Sequence, residues 1–92
     1  MLFMVIEHFR EADAPAIYRR LEERGRQLPE GLTYVSSWIS ADLGRCFQVM
    51  DCADVTLLQQ WVAAWRDLAR FEIVPVAESA ATRRAITGRE PG

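Results

Sequence analysis

Ninety-two residues, half of them hydrophobic, are enough for one domain with one small core. Eleven basic side chains, all arginine, face thirteen acids for a net charge of −2, and neither sign forms a long block, which argues against a nucleic-acid footprint. The apolar opening MLFMVI has no basic stretch before it and no small-residue cleavage site after it, and no run of about 18 apolar residues follows, so a cytoplasmic chain without a membrane span is expected.

In chain order, residues 2–8 are nearly all β-branched, aromatic or aliphatic and too few for a core helix, so they predict a buried strand. Asp13 is placed to cap a helix with Pro15 in its first turn, and Ile17, Leu21 and Leu28 make one apolar stripe that carries the helix to about residue 28. Arg19 with Glu23 and Glu22 with Arg26 read as its solvated face. Pro29 and Gly31 end it. Residues 32–40 alternate as a strand, 41–44 read as a turn and 45–52 as the returning strand of a hairpin. Asp54 caps a second helix in which Leu58, Trp61, Val62, Trp65 and Leu68 hold a buried stripe. Residues 71–76 form the fourth strand, and Pro75 puts it at an edge. Ser79 is placed to cap a short extra C-terminal helix that runs to Ile86 and ends at Gly88, with residues 89–92 as a disordered tail.

The order strand, helix, strand, strand, helix, strand is that of a ferredoxin-like α+β sandwich, with an antiparallel sheet ordered 4-1-3-2 over a single domain of residues 1–88. Pairing Ser40 with Gly44 across the hairpin puts Trp38 opposite Cys46, with His8 beside Cys46 and Glu72 beside His8 on one rung. One sheet face then collects Phe3, Val5, Val35, Ile39, Phe47, Val49, Phe71 and Ile73 under the helices. The other collects Met4, Ile6, His8, Tyr34, Ser36, Trp38, Cys46, Gln48, Met50, Glu72 and Val74, a lining too apolar for water and too polar for a plain core. A bulge or one-residue slip in the hairpin exchanges these faces. Burying little more than about 60% of its unfolded surface, a chain of this size gains from a partner, and a homodimer is expected.

The segments LTYVSSW (32–38), GRCFQVM (44–50), WRDL (65–68) and FEIVPV (71–76) together resemble a small bacterial domain family of unknown function within the dimeric α+β barrel superfamily. The likeness runs from residue 2 to about 76 and is most specific from Trp65 to Pro75. It implies a homodimer in which two sheets face one another as a barrel with helices outside. The superfamily includes cofactor-free monooxygenases, muconolactone isomerases and haem-dependent enzymes, along with members without established activity. The family resembled supplies no catalytic residues.

His8, the only histidine, is the natural acid or base, with Glu72 as its partner. Tyr34, Trp38, Cys46, Gln48 and Met50 are the candidate ligand-binding residues on the mixed face. Cys46 beside His8 has the elements of an activated nucleophile but no third orienting group. Cys46 and Cys52 lie roughly 20 Å apart on one strand and do not bridge. One histidine, two distant cysteines and Glu72 do not make a metal site, and no glycine-rich phosphate loop or nucleophile elbow occurs, so no cofactor is expected. Two functions follow: cofactor-independent binding or conversion of a small, partly aromatic metabolite, or a non-catalytic homodimeric module whose mixed face is its interface. An enclosed cavity reaching His8 favours the first and a dry interface the second.

Overall fold

The computed structural model describes residues 1–89. Among the described residues four strands and three α-helices follow one another, with a short 3-10 turn (Arg10–Ala12) after the first strand: β1 (Leu2–Phe9), α1 (Ala14–Arg24), β2 (Thr33–Ile39), β3 (Arg45–Asp51), α2 (Val55–Trp65), β4 (Ala69–Val76) and α3 (Ser79–Thr87). The four strands form one antiparallel sheet in the order β2-β3-β1-β4, the ferredoxin-like α+β arrangement expected, with β4 and Pro75 at an edge. Both expected N-caps of the main helices are made. The Asp13 side chain accepts from the Ala16 amide at 3.1 Å, and Asp54 accepts from the amide and hydroxyl of Thr56 at 2.9 and 2.7 Å, which also holds the Asp54 carboxyl below its ordinary range.

The core lies between the helices and one face of the sheet. Phe3, Val5 and Met50 from the strands meet Leu58, Trp61 and Trp65 from α2, all buried, and Ile17 and Leu21 of α1 pack against them. Trp61 stands edge-on to Phe71 with ring centroids 5.3 Å apart. The expected core tryptophans are therefore in place. Both cysteines are free and buried.

Four element boundaries differ from expectation. α1 stops at Arg24 rather than near Leu28, because Gly25 leaves the helix at φ 67°, ψ −165°, a region in which only glycine is at ease. α2 ends at Trp65, with Leu68 in the turn beyond, and β4 begins at Ala69, two residues early. α3 starts at Ser79 with Glu78 as its N-cap and no side-chain capping bond. The tail expected over 89–92 lies, beyond Arg89, outside the described residues. No residue of α3 is buried, and Ile86 is 81% exposed, so this helix stands off the body of a molecule measuring 46 × 31 × 18 Å.

The hairpin register also differs, by one residue. Ser40 pairs with Arg45, its amide donating to the Arg45 carbonyl at 2.9 Å. The loop is one residue longer because the Asp42 side chain organises it. Asp42 accepts from the Ser40 hydroxyl at 2.7 Å and the Gly44 amide at 2.9 Å, while Leu43 takes φ 64°. Consequently Trp38 faces Phe47, Ile39 faces Cys46, and Glu7 rather than His8 stands opposite Cys46. A bulge between Tyr34 and Ser36 then accommodates Val35 as an extra residue and reverses Tyr34 relative to Ser36 and Trp38.

The faces therefore regroup. Cys46, Gln48, Met50 and Tyr34 turn towards the helices, whereas Phe47 and Val49 move to the open face beside Met4, Ile6, His8, Trp38, Glu72 and Val74. The strand alternation of β1 and β4 is as expected. That of β3 is reversed.

Candidate functional site

The single rung expected to join His8, Cys46, Trp38 and Glu72 separates into two sites on opposite faces of the sheet. On the open face, Glu72 lies opposite Ile6, diagonal to His8, and the His8 Nε2 to Glu72 Oε1 distance is 2.6 Å. In register, His8 is flanked by Arg45 and Arg70. Trp38, 57% exposed, and Phe47, over which the Arg45 guanidinium sits at 5.1 Å, complete this surface. The pair His8–Glu72 can exchange a proton with a molecule held against this face.

A concave site is on the other side. A cavity of about 140 Å³ opens between the sheet and the helices, with Glu7, Ser37, Cys46 and Gln48 on its sheet side and Tyr18, Leu21, Arg26, Trp61 and Trp65 around it. Glu7 and Gln48 are 6% and 5% exposed. Burial is the larger influence on Glu7 and raises its carboxyl above the ordinary range, with the Cys46 thiol and the Arg26 charge opposing. The Gln48 carboxamide has no hydrogen-bond partner among the described residues. Ser37 is already engaged, its hydroxyl 2.6 Å from that of Tyr34.

Cys46 is unsuited to attack from this position. Burial, then the Glu7 charge and hydrogen bond, push its thiol up to about 12, so thiolate is scarce at neutral pH. Its partner directly across the strand pair is an acid, Glu7, not an imidazole. Met50 is wholly buried in the core, and Tyr34 lies behind the cavity with the Arg26 guanidinium 3.7 Å over its ring. Of the five residues expected to contact a ligand, Cys46 and Gln48 line this cavity, Trp38 lies on the open face, and Tyr34 and Met50 line neither.

The two charged residues of the cavity wall, Glu7 and Arg26, escaped the sequence reading. Glu7 shares the parity of Phe3 and Val5, a signal that points it at the helices. Arg26 was assigned to the solvated face of α1, yet Gly25 takes the chain off that helix, and the Arg26 carbonyl then accepts from Trp61 Nε1 at 3.0 Å and Trp65 Nε1 at 3.1 Å. Among the described residues no three His, Cys, Asp or Glu side chains gather as a metal-binding group, and no helix is long and apolar enough to cross a membrane.

No curated protein matches the chain. A crystal structure of protein Atu4242 from Agrobacterium tumefaciens is similar over 86% of this chain and 96% of its own, with a TM-score of 0.53 and 14% identity, a likeness that bears on fold alone. The sequence matches one family model over residues 1–90, nearly its whole length, and the protein belongs to that family, a domain of unknown function, DUF3303.

Proposed function

We propose that the protein is a homodimeric cytoplasmic module of the dimeric α+β barrel kind that binds a small, partly aromatic molecule without a cofactor. Each copy holds its ligand between helices and sheet, and the two open sheet faces cover one another. The observation that carries the reading is Gln48, a carboxamide buried to 5% exposure, without a hydrogen-bond partner among the described residues, on the wall of a cavity of about 140 Å³. Among the described residues Gln27 Nε2, and not Gln48, is the side-chain polar atom sealed from solvent without a partner, so the Gln48 amide is open to the cavity and a ligand that pairs with it takes the place of water.

The composition of the open face supports the second copy. Met4, Ile6, Trp38, Phe47, Val49 and Val74 supply its apolar part, and His8, Arg45, Arg70 and Glu72 lie towards one end. Apolar side chains gathered on an open face with polar groups at its border are what a protein interface presents. Two free, buried cysteines suit a reducing compartment.

Tryptophan fluorescence tests the pocket, because Trp61 and Trp65 line it. Titration with indole and with benzamide is expected to give a saturable change, weakened about tenfold in a folded Gln48→Leu variant. The absence of any saturable change in the wild type with either probe overturns the pocket reading. A second reading gives His8 and Glu72 a proton-transfer role inside the dimer, favoured by their 2.6 Å contact. It requires the imidazole Nε2 hydrogen bond to persist in the dimer. A nitrogen-resolved NMR spectrum unchanged by Glu72→Gln removes it.

A further inference from the structure

The cavity brings three polar groups together from three separate elements: Glu7 from β1, Gln48 from β3 and Arg26 from the segment after α1. Resting on the reading of this cavity as a ligand pocket, we infer that its ligand is a small monocarboxylate carried on a single ring. Its carboxylate accepts from the Gln48 amide and the Arg26 guanidinium, with the Glu7 carboxyl beside it on the cavity wall.

Arg26 is held ready for that role. Its main chain is clamped by two indole N–H donors at 3.0 and 3.1 Å, its guanidinium lies 3.7 Å over Tyr34, and among the described residues it makes no salt bridge. A guanidinium so placed presents its donors in a fixed fork suited to a carboxylate. Gly25 is what frees this residue from α1, and the space around it is open, so the backbone conformation alone demands glycine there.

Charge decides between ligand classes. An ammonium ligand would set two cations against one acid. A carboxylate leaves the site neutral, with Arg26 as counter-ion, once Glu7 keeps its proton. Burial already favours the neutral acid. Where Glu7 is ionised before binding, the ligand anion draws one proton from solvent onto the Glu7 carboxyl, and no covalent bond changes. Size sets the rest: an apolar cavity of about 150 Å³ holds one benzene ring, and here Phe9, Leu21, Trp61 and Trp65 supply apolar walls.

The sign of the pH dependence follows. Affinity is greatest below the pKa of Glu7 in the empty protein and falls by up to about tenfold per pH unit above it, since a proton must be taken up. Calorimetric titration of the whole chain with benzoate, and with benzyl alcohol as the neutral match in size, tests this in buffers of different ionisation enthalpy. Benzoate is expected to bind about tenfold tighter than benzyl alcohol, with proton uptake and an affinity that declines as pH rises. Glu7→Gln is expected to abolish the proton uptake. Arg26→Ala, at an exposed position and with its fold checked by circular dichroism, is expected to weaken benzoate about tenfold more than it weakens benzyl alcohol. Equal or tighter binding of benzyl alcohol overturns the carboxylate assignment while leaving the pocket. Failure of both probes, together with indole and benzamide, overturns the pocket itself.

Discussion

The two faces of the sheet blur the usual division of labour. In an antiparallel sheet with one face on a core and one in water, the covered face is apolar and the free one polar. Here the covered face carries Glu7, Gln48 and Cys46, whereas the free face carries Ile6, Phe47, Val49 and Trp38. The same strands supply both, so composition along a strand does not explain the difference. Placement does. On the proposed function, the acid and the amide of the covered face receive a polar ligand, and the apolar side chains of the free face meet a second copy.

The strongest way to break this contrast is to remove the packing behind the covered face. Trp65→Ala takes away a buried aromatic and one of the two donors to the Arg26 carbonyl, and is expected to destabilise the fold by about 3 to 5 kcal/mol in denaturant unfolding. A loss below about 1 kcal/mol would place Trp65 outside the core. On the free face, Phe47→Asp is expected to weaken self-association by about 2 kcal/mol or more while the chain stays folded, read by sedimentation at micromolar concentration. A wild-type protein that sediments at 10.5 kDa, the mass of one chain, would end the dimer proposal before that variant is made.

Two smaller effects separate the faces further. Gly25→Ala is expected to cost about 1 to 3 kcal/mol through backbone strain alone, without altering self-association, because φ 67° and ψ −165° lie where a Cβ is unwelcome although no neighbouring atom is within 4 Å. The mildest effect is a slope. Since burial raises the Glu7 carboxyl in the folded state, the folded chain holds more protons than the unfolded one between the two pKa values. The contribution of Glu7 is therefore fully present below the ordinary glutamate range and is lost as pH rises through the folded pKa. Glu7→Gln is expected to flatten this decline in unfolding midpoints. A variant as pH-sensitive as the wild type would assign the slope to other groups.

The residues that made the fold legible are those whose position is fixed by a long regular pattern. β1 alternates without interruption, and the stripe of Leu58, Trp61 and Trp65 keeps helical spacing, so strand order and helix cover follow from sequence. The candidate site was less legible because it depends on one residue in the hairpin. A loop of three or of four residues fits the run from Ala41 to Gly44 equally well. Asp42 decides it by gathering the Ser40 hydroxyl and the Gly44 amide, a side-chain choice that no periodicity records. That step turns Gln48 and Cys46 inward and leaves His8 and Glu72 on the opposite face. Val35, the extra residue of the bulge, similarly carries no mark in an alternating stretch.

The outlying helix α3 has a hydrodynamic consequence. With a radius of gyration of 15.1 Å, against roughly 12 Å for a compact chain of this length, the molecule drags more solvent than a sphere of equal mass. A single copy will leave a gel-filtration column early, at a volume that imitates a larger compact particle. Elution alone therefore confounds shape with stoichiometry for this protein, whereas equilibrium sedimentation and light scattering weigh the particle without reference to its outline.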